Sequence, residues 1–176
     1  MEEFYICRVG KHDGSSHFDK TFNKPIIRKE YRNIRWALNE KSIHKNKVKY
    51  INDFIKYDNT CWTILIPSAP NNYSYAICKL KEIKDRKQNL GPLINLDETN
   101  DERGWTESTW SGNNDYNWDF KFSEIYLLNE NSFDGIPVKG QATFFQLKEG
   151  GKNEELLKKI ETEMKYIKRY IKPIIL

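Results

Sequence analysis

The chain has 176 residues, a formal net charge of +4 and three cysteines with no CxxC pair. That length buries most of a core without staples, and an odd, scattered thiol count points to a reducing compartment and away from a zinc site. No apolar run approaches the roughly 18 residues of a membrane span, and the start Met1-Glu2-Glu3 is acidic where a secretory signal is basic; the expectation is one intracellular domain over 1–176 with no membrane partner.

Taken in chain order, Phe4-Tyr5-Ile6-Cys7-Arg8-Val9 reads as a first strand stopped by Gly10. Residues 18–31 suggest a short helix interrupted by Pro25, and residues 33–38 a short strand. Residues 47–57 space Val48, Ile51, Phe54 and Ile55 along one helical face. Residues 61–67 form a continuous apolar strand, buried on both faces, that returns through a turn as a second strand over 73–83. Trp118, Phe120 and Phe122 alternate and lead into a buried stretch at 125–128, with a further strand at 142–147. Residues 153–171 predict an amphipathic helix with Leu156, Leu157, Ile160, Met164, Ile167 and Ile171 on one stripe, acids first and bases last as the helix dipole prefers. Cys7, Cys61 and Cys78 sit in apolar runs, as buried free thiols do, and Trp62 and Trp118 read as core. The order implies an α/β (α+β) fold: a curled mixed sheet or small barrel with flanking helices, including a C-terminal helix.

Charge is segregated along the chain. Residues 20–56 hold eleven Lys/Arg against three acids, whereas residues 97–119 hold seven acids against Arg103. A basic segment of this kind is able to track a phosphate backbone, and it equally suits a solvated helix surface. Trp105 and Trp110 fall in a polar stretch, 85–117, far longer than the usual loop of about 4–6 residues. Two large aromatic faces in such a place either fold back as a hydrophobic plug or stack on a flat partner such as a base.

Four pieces in order resemble the YTH domain of the PUA-like superfamily, which also includes the EVE domains. They are Arg32-Asn33-Ile34-Arg35-Trp36-Ala37, the hairpin from Trp62 to Leu80, Trp105-Thr-Glu-Ser-Thr-Trp110-Ser-Gly just before a strand, and Phe120-Lys-Phe followed later by Pro137-Val138-Lys139. The resemblance covers residues 31–147 loosely, and the paired-Trp piece is its specific part. It implies a PUA-like fold and a non-catalytic reader of N6-methyladenine in RNA or DNA, without a cofactor. Trp36, Trp105 and Trp110 fall on the positions of the aromatic cage, where a poorly hydrated N-methyl group is buried while the base stacks. Lys139, Arg32, Arg35 and Lys41 are the expected phosphate contacts. Ala37 stands where the family has Ser or Thr, Gln141 lies near the position of an expected Arg, and the insertion at 85–103 is long. These departures leave RNA and DNA both open as the methylated partner. Because such modules occur fused to restriction motors, a fused or associated effector protein is a further expected partner.

Other chemistry is thin. No Walker, GxGxxG, HExxH or GxSxG motif occurs. His12 with His17 offers an acid/base pair for a small nuclease or RNA-processing enzyme, the alternative from another class. Asp119 and Glu124 are a poor metal pair, since strand alternation puts them on opposite faces. A protein-docking domain using the loop tryptophans is the third reading.

Overall fold

In the first strand, Phe4 and Ile6 turn to one side and Tyr5 and Cys7 to the other, and all four are buried. A strand covered on both faces belongs inside a layered structure, and the chain provides a helix for each side. The structure, a computed structural model, describes residues 1–9, 11–12, 15–16, 35–38, 42–67, 75–85, 118–128, 136 and 138–175; for 9, 11–12, 15–16, 35–38, 67, 75, 119 and 174 it describes the backbone alone. The elements are β1 (Glu2–Val9), β2 (Lys11–His12), β3 (Ser15–Ser16), β4 (Arg35–Leu38), α1 (Lys45–Lys56), β5 (Thr60–Pro67), β6 (Tyr75–Asp85), β7 (Trp118–Leu128), β8 (Phe144–Leu147), α2 (Glu154–Tyr170) and β9 (Ile174–Ile175). The helix expected over 18–31 lies outside the described residues.

One mixed sheet runs in the order β4-β7-β6-β5-β1-β8, with β9 also on β7. β1 and β5 are parallel, and the other ladders of this sheet are antiparallel. β4 pairs with Trp118–Lys121 of β7 and β9 with Glu124 and Ile125, so the two short strands share the edge of β7 that β6 leaves open. The α+β class, the mixed sheet and the C-terminal helix are as the sequence implies. The curled sheet or small barrel is not: the path is open, β4 and β8 are its two ends, and no ladder joins them among the described residues.

Each face has its own core. On one, Ile43, Val48 and Ile51 of α1 and its approach cover Tyr5, Cys7, Cys61, Leu65, Cys78, Leu80, Ile83, Trp118, Phe120 and Phe122. There Phe144 stacks on Tyr5 with centroids 5.2 Å apart and meets Phe120 edge-on at 5.4 Å. On the other, the predicted stripe of α2 (Leu156, Leu157, Ile160, Met164 and Ile167) is buried over Phe4, Ile6, Trp62, Ile64, Ile77 and Tyr126. Trp62 and Trp118 are both core, and the Trp118 indole N–H donates to the Ile43 carbonyl at 3.0 Å.

The β6–β7 ladder contains irregularities at Lys79/Leu80 and Leu80/Glu82. Below them Ala76, Cys78 and Leu80 face α1; above them Ile83 does, three residues on rather than two. β7 shifts in the same way between Phe122 and Ile125. Bulges of this kind add a residue, reset the alternation and increase twist. The alternation argument that separates Asp119 from Glu124 therefore does not apply to this strand. Beyond Leu80, β5 no longer pairs with β6, and the Asn52 side chain takes over at Ile83: its Oδ1 accepts the Ile83 N–H at 2.9 Å, and its Nδ2 donates to the Ile83 carbonyl at 2.8 Å.

Candidate nucleic-acid interface

Of the residues expected at the interface, Trp36, Arg35 and Lys139 are among those described. Trp36 lies in the middle of β4, with its Cα opposite Phe120 of β7, and Arg35 is opposite Lys121. Trp36 is thus carried by a four-residue strand at one end of the sheet, beside the strand that follows the paired-Trp segment in sequence. Trp105, Trp110, Arg32 and Lys41 lie outside the described residues.

Lys139 is exposed, on a segment fastened at two points. Asn153, the residue before α2, donates no cap to its own helix; its Oδ1 accepts the Lys139 N–H at 2.7 Å, and its Nδ2 donates to the Lys139 carbonyl at 3.1 Å. From β1, the Arg8 guanidinium donates to the carbonyls of Val138 at 3.1 Å and Gly140 at 2.7 Å. Gly140 has φ +94°, a backbone region open to glycine and strained for other residues. The result is an exposed cation on a backbone pinned from two sides.

Within the basic segment, α1 uses its lysines in different ways. Lys49 pairs with Asp53 one turn on, in the solvent. Lys47 reaches over the sheet end, donates to Gln146 Oε1 at 3.1 Å and sits 4.9 Å from the Tyr50 ring centroid. Burial, then the neighbouring Lys148 charge, holds Lys47 below its ordinary range. It borders a cleft of about 420 Å³ lined by Glu2, Glu3, Tyr50, Lys148 and Glu161 among others. In that cleft the Glu3 carboxylate accepts from Tyr5 Oη at 2.7 Å and Tyr50 Oη at 2.6 Å. Burial, reinforced by that bond, raises Tyr5, while Tyr50 is pushed up to about 12 chiefly by the Glu3 hydrogen bond. Burial also raises Glu2, but hydrogen bonds from Lys168 and Trp62 and the Lys168 charge outweigh it and leave Glu2 below its ordinary value.

Compared with protein-family models, curated proteins and solved structures, the chain matches none.

The acid/base pair of the enzyme alternative, His12 and His17, has no described side chain. His44 is the N-cap of α1, its Nδ1 accepting the Asn46 N–H at 3.2 Å. His12 contributes backbone to the β2–β3 ladder opposite Ser15, and His17 lies outside the described residues. Among the described residues no group of three His, Cys, Asp or Glu side chains is arranged to hold a metal ion, and no helix is long and apolar enough to cross a membrane. All three cysteines are buried, and burial pushes the Cys61 thiol up to about 12.

Sequence reasoning missed the cleft beside Lys47 and the double fastening of Lys139. Both depend on pairs far apart in the chain: Lys47 with Gln146, and Arg8 with Gly140. No local pattern announces either pair.

Proposed function

We propose that this protein is a non-catalytic, intracellular reader of N6-methyladenine in RNA or DNA, a YTH-like member of the PUA-like group. The observation that carries the reading is the ordered set Trp36, then Trp105-x4-Trp110-Ser-Gly immediately ahead of a strand. Trp36, Trp105 and Trp110 would form the cage around the methylated base, with Lys139, Arg32, Arg35 and Lys41 on phosphates. A fused or associated effector would turn recognition into an outcome.

One structural fact supports it: Trp36 belongs to a short end strand next to β7, which is where the strand following the paired-Trp segment runs.

Calorimetry with one oligonucleotide carrying a single N6-methyladenine, and with its unmethylated twin, tests the proposal. One buried methyl contributes about 0.8 kcal/mol, and tighter stacking in the cage raises the expected preference to on the order of tenfold. Trp36→Ala, Trp105→Ala and Trp110→Ala should each remove most of that preference and leave phosphate-driven binding. Equal affinity for the two oligonucleotides would sink the reader, and cleavage that His12→Ala or His17→Ala abolishes would favour the enzyme.

A further inference from the structure

The outer face of α2 carries a feature that neither the cage nor the core uses. Tyr166 and Tyr170 lie one turn apart and are 57% and 62% exposed, with ring centroids 4.7 Å apart. The Arg169 guanidinium carbon sits 5.4 Å from the Tyr170 centroid. Lys165 and Lys172 are exposed around the same pair. In the first half of the helix the lysines are neutralised, Lys158 by Glu154 and Lys159 by Glu163. In the second half no carboxylate among the described residues pairs with Lys165, Arg169 or Lys172.

From this arrangement we infer that the C-terminal half of α2 is a second contact surface, one for single-stranded nucleic acid, on which bases stack on Tyr166 and Tyr170 while Lys165, Arg169 and Lys172 meet the phosphates. Three cations that no described carboxylate pairs select a polyanion, and adjacent flat rings select one with exposed bases, the combination found where single strands are bound without sequence preference. An anionic membrane fits less well. The apolar stripe of α2 is already buried against the sheet, and the exposed face offers phenols in place of the aliphatic wedge an interfacial helix inserts. The surface stands apart from the proposed cage: it would lengthen the bound strand whether or not that strand is methylated.

Fluorescence anisotropy on the full chain, with unmodified oligo(U) and oligo(dT) of about 15 nucleotides, the upper end of the site sizes known for small single-strand binders, tests it. Tyr166→Ala/Tyr170→Ala should weaken unmodified binding at least about fivefold, Tyr166→Phe/Tyr170→Phe should retain it, and the ratio of methylated to unmethylated affinity should not move. Lys165→Ala/Arg169→Ala should reduce the slope of log K against log salt by about 0.7 per cation, about 1.4 for the pair. All four side chains are exposed, and circular dichroism checks that each variant is folded. Unchanged affinity and slope in both alanine pairs overturns the inference. So does binding to vesicles of anionic phospholipid without binding to oligonucleotides, or a dimer that Tyr166→Ala dissolves. Loss of methyl selectivity with intact unmodified binding would sink the cage and leave this surface standing.

Discussion

Glu3 shows how one side chain sets the chemistry of its neighbours. Its carboxylate accepts from two phenols, and the bond stabilises the neutral form of each. Tyr50 is raised from 10.0 to about 12, so the folded state holds that proton more tightly than the unfolded chain does. The corresponding stability is fully present below pH 10 and is lost as pH rises through about 12. In a phenolate absorbance titration, Glu3→Ala should move the Tyr50 midpoint back toward 10, because it removes both the acceptor, which is the larger cause, and the charge. An unchanged midpoint would mean that the pair does not form. At this scale the sequence is informative where a residue's own strand decides its fate. Trp62 and Trp118 are core because they sit in apolar strands, and the cysteines follow for the same reason. It is uninformative where the partner is remote. Nothing around Asn153 says that its side chain will hold Lys139 in preference to capping α2.

The elements were legible to the extent that their periodicity was undisturbed. Five residues of the expected stripe of α2 are buried, since a period near 3.6 leaves one face to bury, and the sixth, Ile171, is the C-cap and only partly buried against the same core. Ile160 is at the stripe's centre and fully buried. Ile160→Ala should therefore cost about 2–5 kcal/mol in chemical denaturation, whereas Thr162→Ala, on the exposed side of the same helix, should stay within about 0.5 kcal/mol. Equal effects would mean that α2 is not docked by this stripe. β6 and β7 show the opposite case. Their change of phase was present in the sequence as a spacing of three, Leu80 to Ile83 and Phe122 to Ile125, but it looks like noise until the facing strand is known to shift as well. Strict alternation therefore cannot be carried along β7 from Asp119 to Glu124. Asn52 belongs with this irregularity: its carboxamide satisfies the Ile83 backbone where β5 no longer reaches.

For the molecule as a whole, strand order was the part least available from sequence. Sequence proximity brings β5 and β6 together as a hairpin, but β1 enters between β5 and β8, parallel to one and antiparallel to the other. Its residues find partners at 60–67 and 144–147, separations that no short-range signal encodes. Being interior to the sheet and covered by both helices, β1 and β5 should hold the slowest-exchanging amides, opening only with global unfolding. Native-state hydrogen exchange reads this directly, and fast exchange at Ile6 or Ile64 would contradict it.

The seat of β1 has a kinetic side. Residues 2–9 leave the ribosome well before residues 144–147, so one flank of that segment cannot be covered until the later strand has been made, and one face waits for α2. Until then, Phe4, Ile6 and the open edge of β1 are exposed in the nascent chain, an aggregation-prone condition. Such non-local closure also slows refolding of the finished protein relative to helical domains of the same size. The acidic pair Glu2 and Glu3 at the head of the strand adds charge where a bare edge would otherwise invite a second chain.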